Sequence, residues 1–237
     1  MTHPGTSTAQ MPEANEEFDR FSRVEHLANH WARPIGPSSY YWYTTFEHDP
    51  GVQALAQRCQ DVLDLPYYDM TPPQGLHMTL ERIAFSSRIT PEQLEAVAAA
   101  VEAVCQNIAP ISSAVGHLAG TPSALGFTAY PRALLKDLRN RLRVTTLAVH
   151  PAADLRPPGF HPHIAIAYCN TDGIPAAETI AAVAPLTHNA TTTATIQAIS
   201  LVHLTRRPRA YEWTTVRRIR LEGTVPPVDS ALATEPR

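Results

Sequence analysis

The chain has 237 residues, of which 44% are hydrophobic and 17% charged, and its formal net charge is −3 with histidine neutral. This composition predicts a folded protein with a sizeable core, and so small a net charge excludes a strong global attraction to nucleic acid or to an anionic membrane. The three cysteines (Cys59, Cys105 and Cys169) form no C-x-x-C pair, which argues against a disulfide framework or a cysteine zinc site. No stretch approaches the roughly 20 apolar residues that span a bilayer, so we expect a cytoplasmic protein.

The predicted elements, in chain order, lie between two polar ends. Residues 1–20 are rich in Pro, Thr, Glu and Asn and predict a disordered lead, and residues 225–237 predict a tail, so one domain is expected over residues 21–224. Hydrophobic periodicity and turn residues predict the elements of that domain. They are a strand over 40–46, a helix over 50–63, a strand over 76–80, a helix over 91–107, strands over 111–118 and 125–130, a helix over 131–142, a strand over 161–168, a helix over 176–183, and strands over 191–205 and 211–221.

Two of these strands carry histidines and lie far apart in the chain. In an extended segment the side chains at i and i+2 share a face. His77 and Thr79 therefore point one way on the first strand, with the intervening apolar side chains directed into a core. On the second strand, alternation assigns one face to His163, Ala165 and Ala167 and the opposite face to Ile164, Ile166 and Tyr168.

The order of elements repeats around the two histidine strands. Each is preceded by a helix and a Pro- and Gly-containing turn, and each is followed by a helix and further strands. This rough duplication predicts an α+β architecture with two similar lobes.

At these motifs the chain resembles the two-histidine (2H) phosphoesterase superfamily, in particular bacterial 2′-5′ RNA ligase-like proteins. That family carries two H-x-[ST]-hydrophobic strands that face each other across a cleft. The resemblance extends over roughly residues 25–222 and includes these stretches: NHWARP at 29–34, YYWYTTF at 40–46, PQGLHMTL at 73–80, FHPHIAIAYCN at 160–170, and Arg206 through Trp213. It implies a bilobal fold of two antiparallel sheets with outer helices and a central cleft. The arginine-rich composition, with Lys136 the only lysine, favours a bacterial source.

The resemblance implies that His77, Thr79 and His163 carry over to this chain as functional residues. One position departs from the family pattern, because Ala165 stands where a second Ser or Thr is expected. A hydrogen bond to a charged phosphate contributes about 1.5–3 kcal/mol, so the loss of one predicts a roughly ten- to hundredfold weaker transition-state interaction. His161 shares the face of His163 if the strand begins that early, and we expect it to supply the missing donor.

The implied activity is a metal-independent 2′,3′-cyclic phosphodiesterase that acts on nucleotides or RNA ends. Histidine titrates near neutral pH, so a pair of them provides one base and one acid. We assign the base role to His163 and the acid role to His77, with Thr79 bound to a non-bridging oxygen. Further expected contacts to the base or to a flanking phosphate come from the following residues: Tyr43, Trp31, Arg82, Arg206 and Tyr168.

Three alternatives stay open on sequence alone. Ala165 is compatible with a nucleotide- or RNA-binding module that has lost its catalytic activity. A second alternative is that the same scaffold is recruited to a specialised biosynthetic reaction. A metal enzyme is the third, with His161 and His163 as ligands together with His150 or His203. We expect no cofactor, no metal, no membrane association and no obligate protein partner.

Overall fold

A computed structural model of the chain describes residues 10–224, with side chains from residue 16 onward. The helices are α1 Gln10–Phe21, α2 Pro50–Val62, α3 Pro91–Cys105, α4 Arg132–Val149, α5 Ala177–Val183 and α6 Leu186–Asn189. The strands are β1 Ser39–Thr45, β2 Tyr68–Met70, β3 His77–Phe85, β4 Ile111–Thr121, β5 Ala124–Tyr130, β6 His163–Cys169, β7 Thr191–Ile196, β8 Ala198–Arg207 and β9 Ala210–Arg220. Within these residues, every helix is too short or too polar to cross a lipid bilayer.

Local sequence explains where the central helices begin. Asp49 accepts a hydrogen bond from the backbone N–H of Val52 and so caps α2. Thr90 and Gln93 form a reciprocal capping box at the start of α3, and Pro91 occupies the first helical position. Both devices satisfy backbone N–H groups that have no partner inside the helix.

Two antiparallel sheets form the framework, with strand orders β3-β1-β8-β9 and β2-β6-β5-β4-β7. Each sheet contains one histidine strand, β3 in the first and β6 in the second. The two halves of the chain exchange strands, since β2 joins the second sheet while β8 and β9 join the first. Helices α2, α3 and α4 each bury one face against the apolar core. The predicted α+β fold with two antiparallel-sheet lobes is confirmed.

The strand predicted over 191–205 is corrected by the structure. It is interrupted at Gln197, and the two pieces, β7 and β8, pair in different sheets. The Thr and Ile residues of this run favour extended backbone throughout, so the propensity of the sequence gives no signal for the change of sheet.

Over residues 10–20, the lead predicted as disordered is also corrected, because residues 10–21 form helix α1. Phe21 is fully buried in the core, and Phe18 is half-buried against it. Gly120 in β4 leaves the room for the Phe21 ring, since a Cβ at that position would lie 2.6 Å from a ring carbon. Two aromatic anchors therefore hold a helix whose polar composition resembles a disordered segment. Residues 1–9 and the tail predicted over 225–237 lie outside the described residues.

Candidate active site

Side chains of both sheets line a cavity of about 770 Å³. Seven of the nine residues that the sequence predicts for the site lie on its wall, all except Trp31 and Arg206: His77, His163, Thr79, His161, Tyr43, Arg82 and Tyr168. Because β3 and β6 belong to different sheets, the two histidines reach the same cavity from two separate frameworks. Their roles in catalysis and binding stay predictions.

The His77 ring is held by its own backbone and by two aromatic rings. Its Nδ1 lies 2.8 Å from the carbonyl oxygen of Gly75, and since a carbonyl only accepts, Nδ1 carries the proton. Tyr43 stacks on the imidazole at a centroid distance of 4.4 Å and an interplanar angle of 15°, and Trp213 meets it edge-on at 4.9 Å. Burial, together with a smaller contribution from the charge of His163, lowers the pKa of His77 to about 4. His77 is therefore neutral near pH 7, with the lone pair of Nε2 available.

The same backbone device positions His163. Its Nδ1 lies 2.8 Å from the carbonyl oxygen of His161, again two residues earlier in the chain, which leaves Nε2 for chemistry. Burial chiefly, with the nearby Arg156 and His161 charges, lowers the pKa of His163 below 6.5, while a backbone hydrogen bond and Glu17 act in the opposite direction. Although protein surrounds much of it, the His163 side chain keeps solvent-exposed surface on the cavity and, unlike the ring of His77, has no stacked aromatic partner among the described residues.

Thr79 lies beside Tyr43 on the adjacent strand. The two residues are paired directly between β1 and β3, which brings their hydroxyls near each other. Burial raises the pKa of Tyr43 far above neutrality, so its hydroxyl keeps its proton and can donate to Thr79. The Thr79 O–H is then free to donate to an oxygen in the cavity.

The second lobe has no equivalent hydroxyl two residues after its histidine. Ala165 lies on the cavity wall beside Gly126, in the position that corresponds to Thr79 beside Tyr43. From the sequence, His161 is expected to be the replacement donor, on the face of His163 if the strand begins that early. In the structure β6 begins at His163, so His161 precedes the strand. His161 is exposed at the cavity, so it reaches the site from the loop and not from a shared strand face.

A β-bulge in each histidine strand turns an additional side chain into the cavity. Between β1 and β3 the register shifts after Trp42, and Arg82 lines the cavity although it is three residues beyond Thr79. Between β5 and β6 the register shifts at Gly126, and Tyr168 lines the cavity three residues beyond Ala165. An added residue reverses the alternation of faces.

The face assignment made by strict alternation is therefore wrong beyond Ala165. Ala167, expected beside His163, is fully buried, and Tyr168, expected on the opposite face, reaches the cavity. Its ring lies 4.4 Å from His30 and 5.6 Å from Tyr211, both of which line the same wall.

Several cavity residues come from segments that the sequence does not assign to the site. Arg156 lies in the loop before β6, where its backbone N–H donates to the fully buried Glu81 carboxylate. Arg33 donates to the Tyr211 hydroxyl, which also lies 2.7 Å from His30 Nε2. In the sequence, these residues are marked only as basic or aromatic side chains in loops next to the motifs. Such side chains are too common to identify a site. Glu17 and Arg20 come from α1, the segment predicted to be disordered.

Other candidates named from the sequence have structural partners instead. Arg206 donates to the carbonyl oxygens of Trp31, Arg33 and Pro34, and the Trp31 indole N–H donates to Asp69. His203 contacts the Ser86 hydroxyl and is not part of the cavity wall. Within the described part of the chain, no group of three His, Cys, Asp or Glu side chains is arranged to hold a metal ion, and the set formed by His161, His163 and His150 or His203 is not assembled.

Comparisons with known proteins agree with this architecture. TT0787 of Thermus thermophilus superposes with a TM-score of 0.60 and 17% identity over 78% of this chain and 98% of its own. Escherichia coli LigT in complex with 3′-AMP gives a TM-score of 0.55 and 14% identity over 78% and 99% of the two chains. A protein described as a phosphoesterase gives a TM-score of 0.57 and 13% identity over 78% and 99%. At identities this low, the superpositions establish a shared fold and nothing more specific. No curated protein sequence matches this chain.

The family comparison is more specific than the structural ones. Residues 47–208, which include both histidine motifs, match the family described as the 2′-5′ RNA ligase superfamily. The resemblance seen in the motifs is thereby confirmed, and this chain belongs to the 2′-5′ RNA ligase (2H phosphoesterase) superfamily.

Proposed function

We propose that the protein is a phosphodiesterase that opens 2′,3′-cyclic phosphates on nucleotides or RNA ends by two-histidine acid–base catalysis. The observation that carries this proposal is the pair of imidazoles on one cavity, each with Nδ1 bound to a backbone carbonyl and Nε2 left for proton transfer. Membership of the superfamily and the binding of 3′-AMP by LigT support a nucleotide substrate. A location in the cytoplasm is part of the same proposal.

The environments of the two histidines favour roles opposite to those assigned from sequence. A general base must be neutral, and His77 is the more strongly desolvated ring, with a pKa of about 4. A general acid must be protonated, and His163, whose side chain is exposed on the cavity and has no stacked aromatic partner among the described residues, is the less covered of the two rings. We therefore assign the base role to His77 and the acid role to His163.

The proposed reaction uses only protein side chains and one water molecule. Nε2 of His77 removes a proton from a water molecule, and the water oxygen forms a bond to phosphorus. The bond from phosphorus to one ribose oxygen breaks, and Nε2–H of His163 protonates that oxygen. The Thr79 hydroxyl donates to a non-bridging oxygen, which stabilises the charge that develops in the transition state.

The remaining cavity side chains suit the rest of a nucleotide. Tyr168, Tyr211 and His30 form an aromatic cluster with ring separations of 4.4–5.7 Å. Such rings stack on nucleobases, and base–aromatic stacking contributes about 1–3 kcal/mol. Arg82 and Arg156 on the same wall supply positive charge for a phosphate next to the reacting one.

The direct test is hydrolysis of 2′,3′-cyclic AMP in the presence of EDTA. His77→Ala and His163→Ala are each expected to lower kcat/KM by at least about a hundredfold, whereas His203→Ala is the matched control outside the cavity and is expected to retain activity. Wild-type protein that is inert towards a panel of cyclic and 2′-5′-linked nucleotides would refute the proposal.

A substrate with a good leaving group tests which histidine is the acid. A 4-nitrophenyl ester of a nucleoside 3′-phosphate releases nitrophenolate, which needs no protonation. His163→Ala is then expected to lose much less activity on the ester than on the cyclic phosphate, while His77→Ala loses both. The reverse pattern would restore the roles assigned from sequence.

One observation favours a second candidate, a nucleotide-binding module without turnover. Ala165 leaves the second lobe without the hydroxyl that corresponds to Thr79. Calorimetry distinguishes the two functions, because a module binds the cyclic nucleotide and returns it unchanged after long incubation. Gain of turnover in Ala165→Thr would support the module further.

Addition of an RNA with a free 5′-hydroxyl to the same reactions tests whether a ribose oxygen replaces water as nucleophile and gives ligation.

A further inference from the structure

A carboxylate from outside the two sheets lies in the cavity beside His163. Glu17, on α1, accepts a hydrogen bond from the Thr128 hydroxyl and forms an ion pair with Arg132. Its side chain is only 14% exposed, and that of Arg132 is 17% exposed. Glu17 and Thr128 both lie on the cavity wall. The carboxylate is therefore an anion held at the site and not a solvated surface charge.

Thr128 is well placed to act on the same ligand atoms as His163. The two residues are paired directly between β5 and β6, so their side chains share a face with Cβ atoms about 4.5–5.5 Å apart. Thr128 is also the diagonal neighbour of Ala165, whose partner is Gly126. A hydroxyl donor therefore lies next to the position where the second motif lacks one.

The donors that surround Glu17 are those that bind phosphate. A hydroxyl and a guanidinium present N–H and O–H groups to two oxygens at once, and guanidinium groups bind carboxylates and phosphates in the same geometry. Two oxygens of one carboxylate occupy this pair in the free protein. A phosphate cannot enter without displacing it, because two anions at one pair of donors repel each other.

We propose that Thr128 and Arg132 form the second phosphate anchor of this protein in place of the hydroxyl missing at Ala165, and that Glu17 occupies this anchor until substrate displaces it. The identity of the anion as a substrate phosphate rests on the proposed function. Displacement requires only rotation of the Glu17 side chain, because Phe21, one turn further along α1, keeps the helix anchored in the core.

Binding of inorganic phosphate to the full chain, measured by calorimetry, tests this anchor without any turnover. Glu17→Ala is expected to bind phosphate at least about tenfold more tightly than the wild type, since the competing carboxylate is gone. Glu16→Ala, an exposed neighbour on the same helix with the same change in net charge, is the matched control and is expected to leave the affinity unchanged. In the Glu17→Ala background, Thr128→Val is expected to abolish the gain.

The opposite results have defined meanings. Unchanged or weaker phosphate binding by Glu17→Ala overturns the anchor and makes Glu17 a structural tether of α1. Equal tightening by Glu16→Ala overturns it as well, since the effect is then one of net charge. If Glu17 serves instead to keep His163 protonated, Glu17→Gln lowers kcat, moves its pH profile to lower pH and leaves phosphate affinity unchanged, which also refutes the anchor.

Two further readouts keep the test independent of folding and of catalysis. Glu17→Gln keeps an oxygen for Thr128 and removes the charge. If Glu17→Ala does not fold, the same titration of Glu17→Gln decides the question, and its phosphate affinity is expected to rise several-fold. Turnover of 2′,3′-cyclic AMP is measured on the same samples. Tighter phosphate binding without turnover retains the anchor and refutes the phosphodiesterase, whereas turnover without tighter binding refutes the anchor alone.

Discussion

Removal of the Trp213 ring is expected to restore basicity to His77. The pKa of this histidine falls from 6.5 to about 4 chiefly through burial, and Trp213 and Tyr43 are the two rings in contact with the imidazole. That fall corresponds to about 3 kcal/mol, since one pH unit is about 1.4 kcal/mol. Trp213 is half-buried on the edge strand β9, so its removal admits water on one side of the ring. Trp213→Ala is therefore expected to raise the pKa of His77 by about one pH unit.

The assay is an NMR titration of the histidine Hε1 protons, with the His77 signal assigned by its absence in His77→Asn. Val216→Ala, an exposed substitution on the same strand, is the control and is expected to leave the titration unchanged. The same shift appears in kinetics, because the base must be neutral and the acidic limb of kcat/KM moves to higher pH. A pKa of His77 that is the same in Trp213→Ala and in the wild type would show that the aromatic cover does not cause its depression.

Stability provides an independent readout of the same perturbation. Because the folded-state pKa of His77 lies below 6.5, the unfolded chain binds more protons between pH 6.5 and about 4. The free energy of unfolding therefore falls as the pH falls through this window, by up to about 3 kcal/mol from His77. Trp213→Ala is expected to make this fall in the free energy of unfolding smaller by about 1 kcal/mol, whatever its effect on stability at pH 7.

Three further substitutions test separate parts of the structure. Tyr43→Phe removes the hydroxyl that lies beside Thr79 and is expected to lower kcat/KM on the cyclic phosphate about tenfold, with a melting temperature close to that of the wild type. Glu81→Gln leaves the buried Arg139 without its carboxylate and is expected to lower the free energy of unfolding by about 3–5 kcal/mol in urea denaturation; a loss below about 1 kcal/mol would contradict this account of the ion pair. Gly126→Ala places a Cβ 2.7 Å from the Ile164 carbonyl oxygen, so a loss of about 1–3 kcal/mol is expected, and unchanged stability would show that the β5–β6 contact adjusts freely.

Local signals made the main elements predictable from the sequence. Helix α3 begins at a capping box that the Thr90, Pro91 and Gln93 spacing indicates, and the period-2 pattern identifies both histidine strands. The convergence of His77 and His163 on one cavity was inferred from the resemblance of the motifs, since strand pattern alone does not say which sheets meet.

The parts that escaped prediction depend on contacts distant in sequence. Helix α1 is polar in composition, and it docks through contacts with distant residues, among them the burial of Phe21 in the space that Gly120 leaves. The bulges that place Arg82 and Tyr168 on the cavity arise from pairing with β1 and β5. The sequence of one strand does not indicate its register with the partner strand. Strict alternation therefore fails beyond Ala165.

The two lobes share a backbone design but give their histidines different environments. In each, the carbonyl two residues earlier holds Nδ1, and a bulge follows the motif. In the first lobe the adjacent strand contributes Tyr43, which covers the imidazole, whereas in the second lobe the corresponding position is Gly126, which has no side chain to cover His163. A neutral base and a protonated acid need unequal surroundings, so under the proposed mechanism this departure from symmetry would let a duplicated scaffold divide the two proton transfers between its halves.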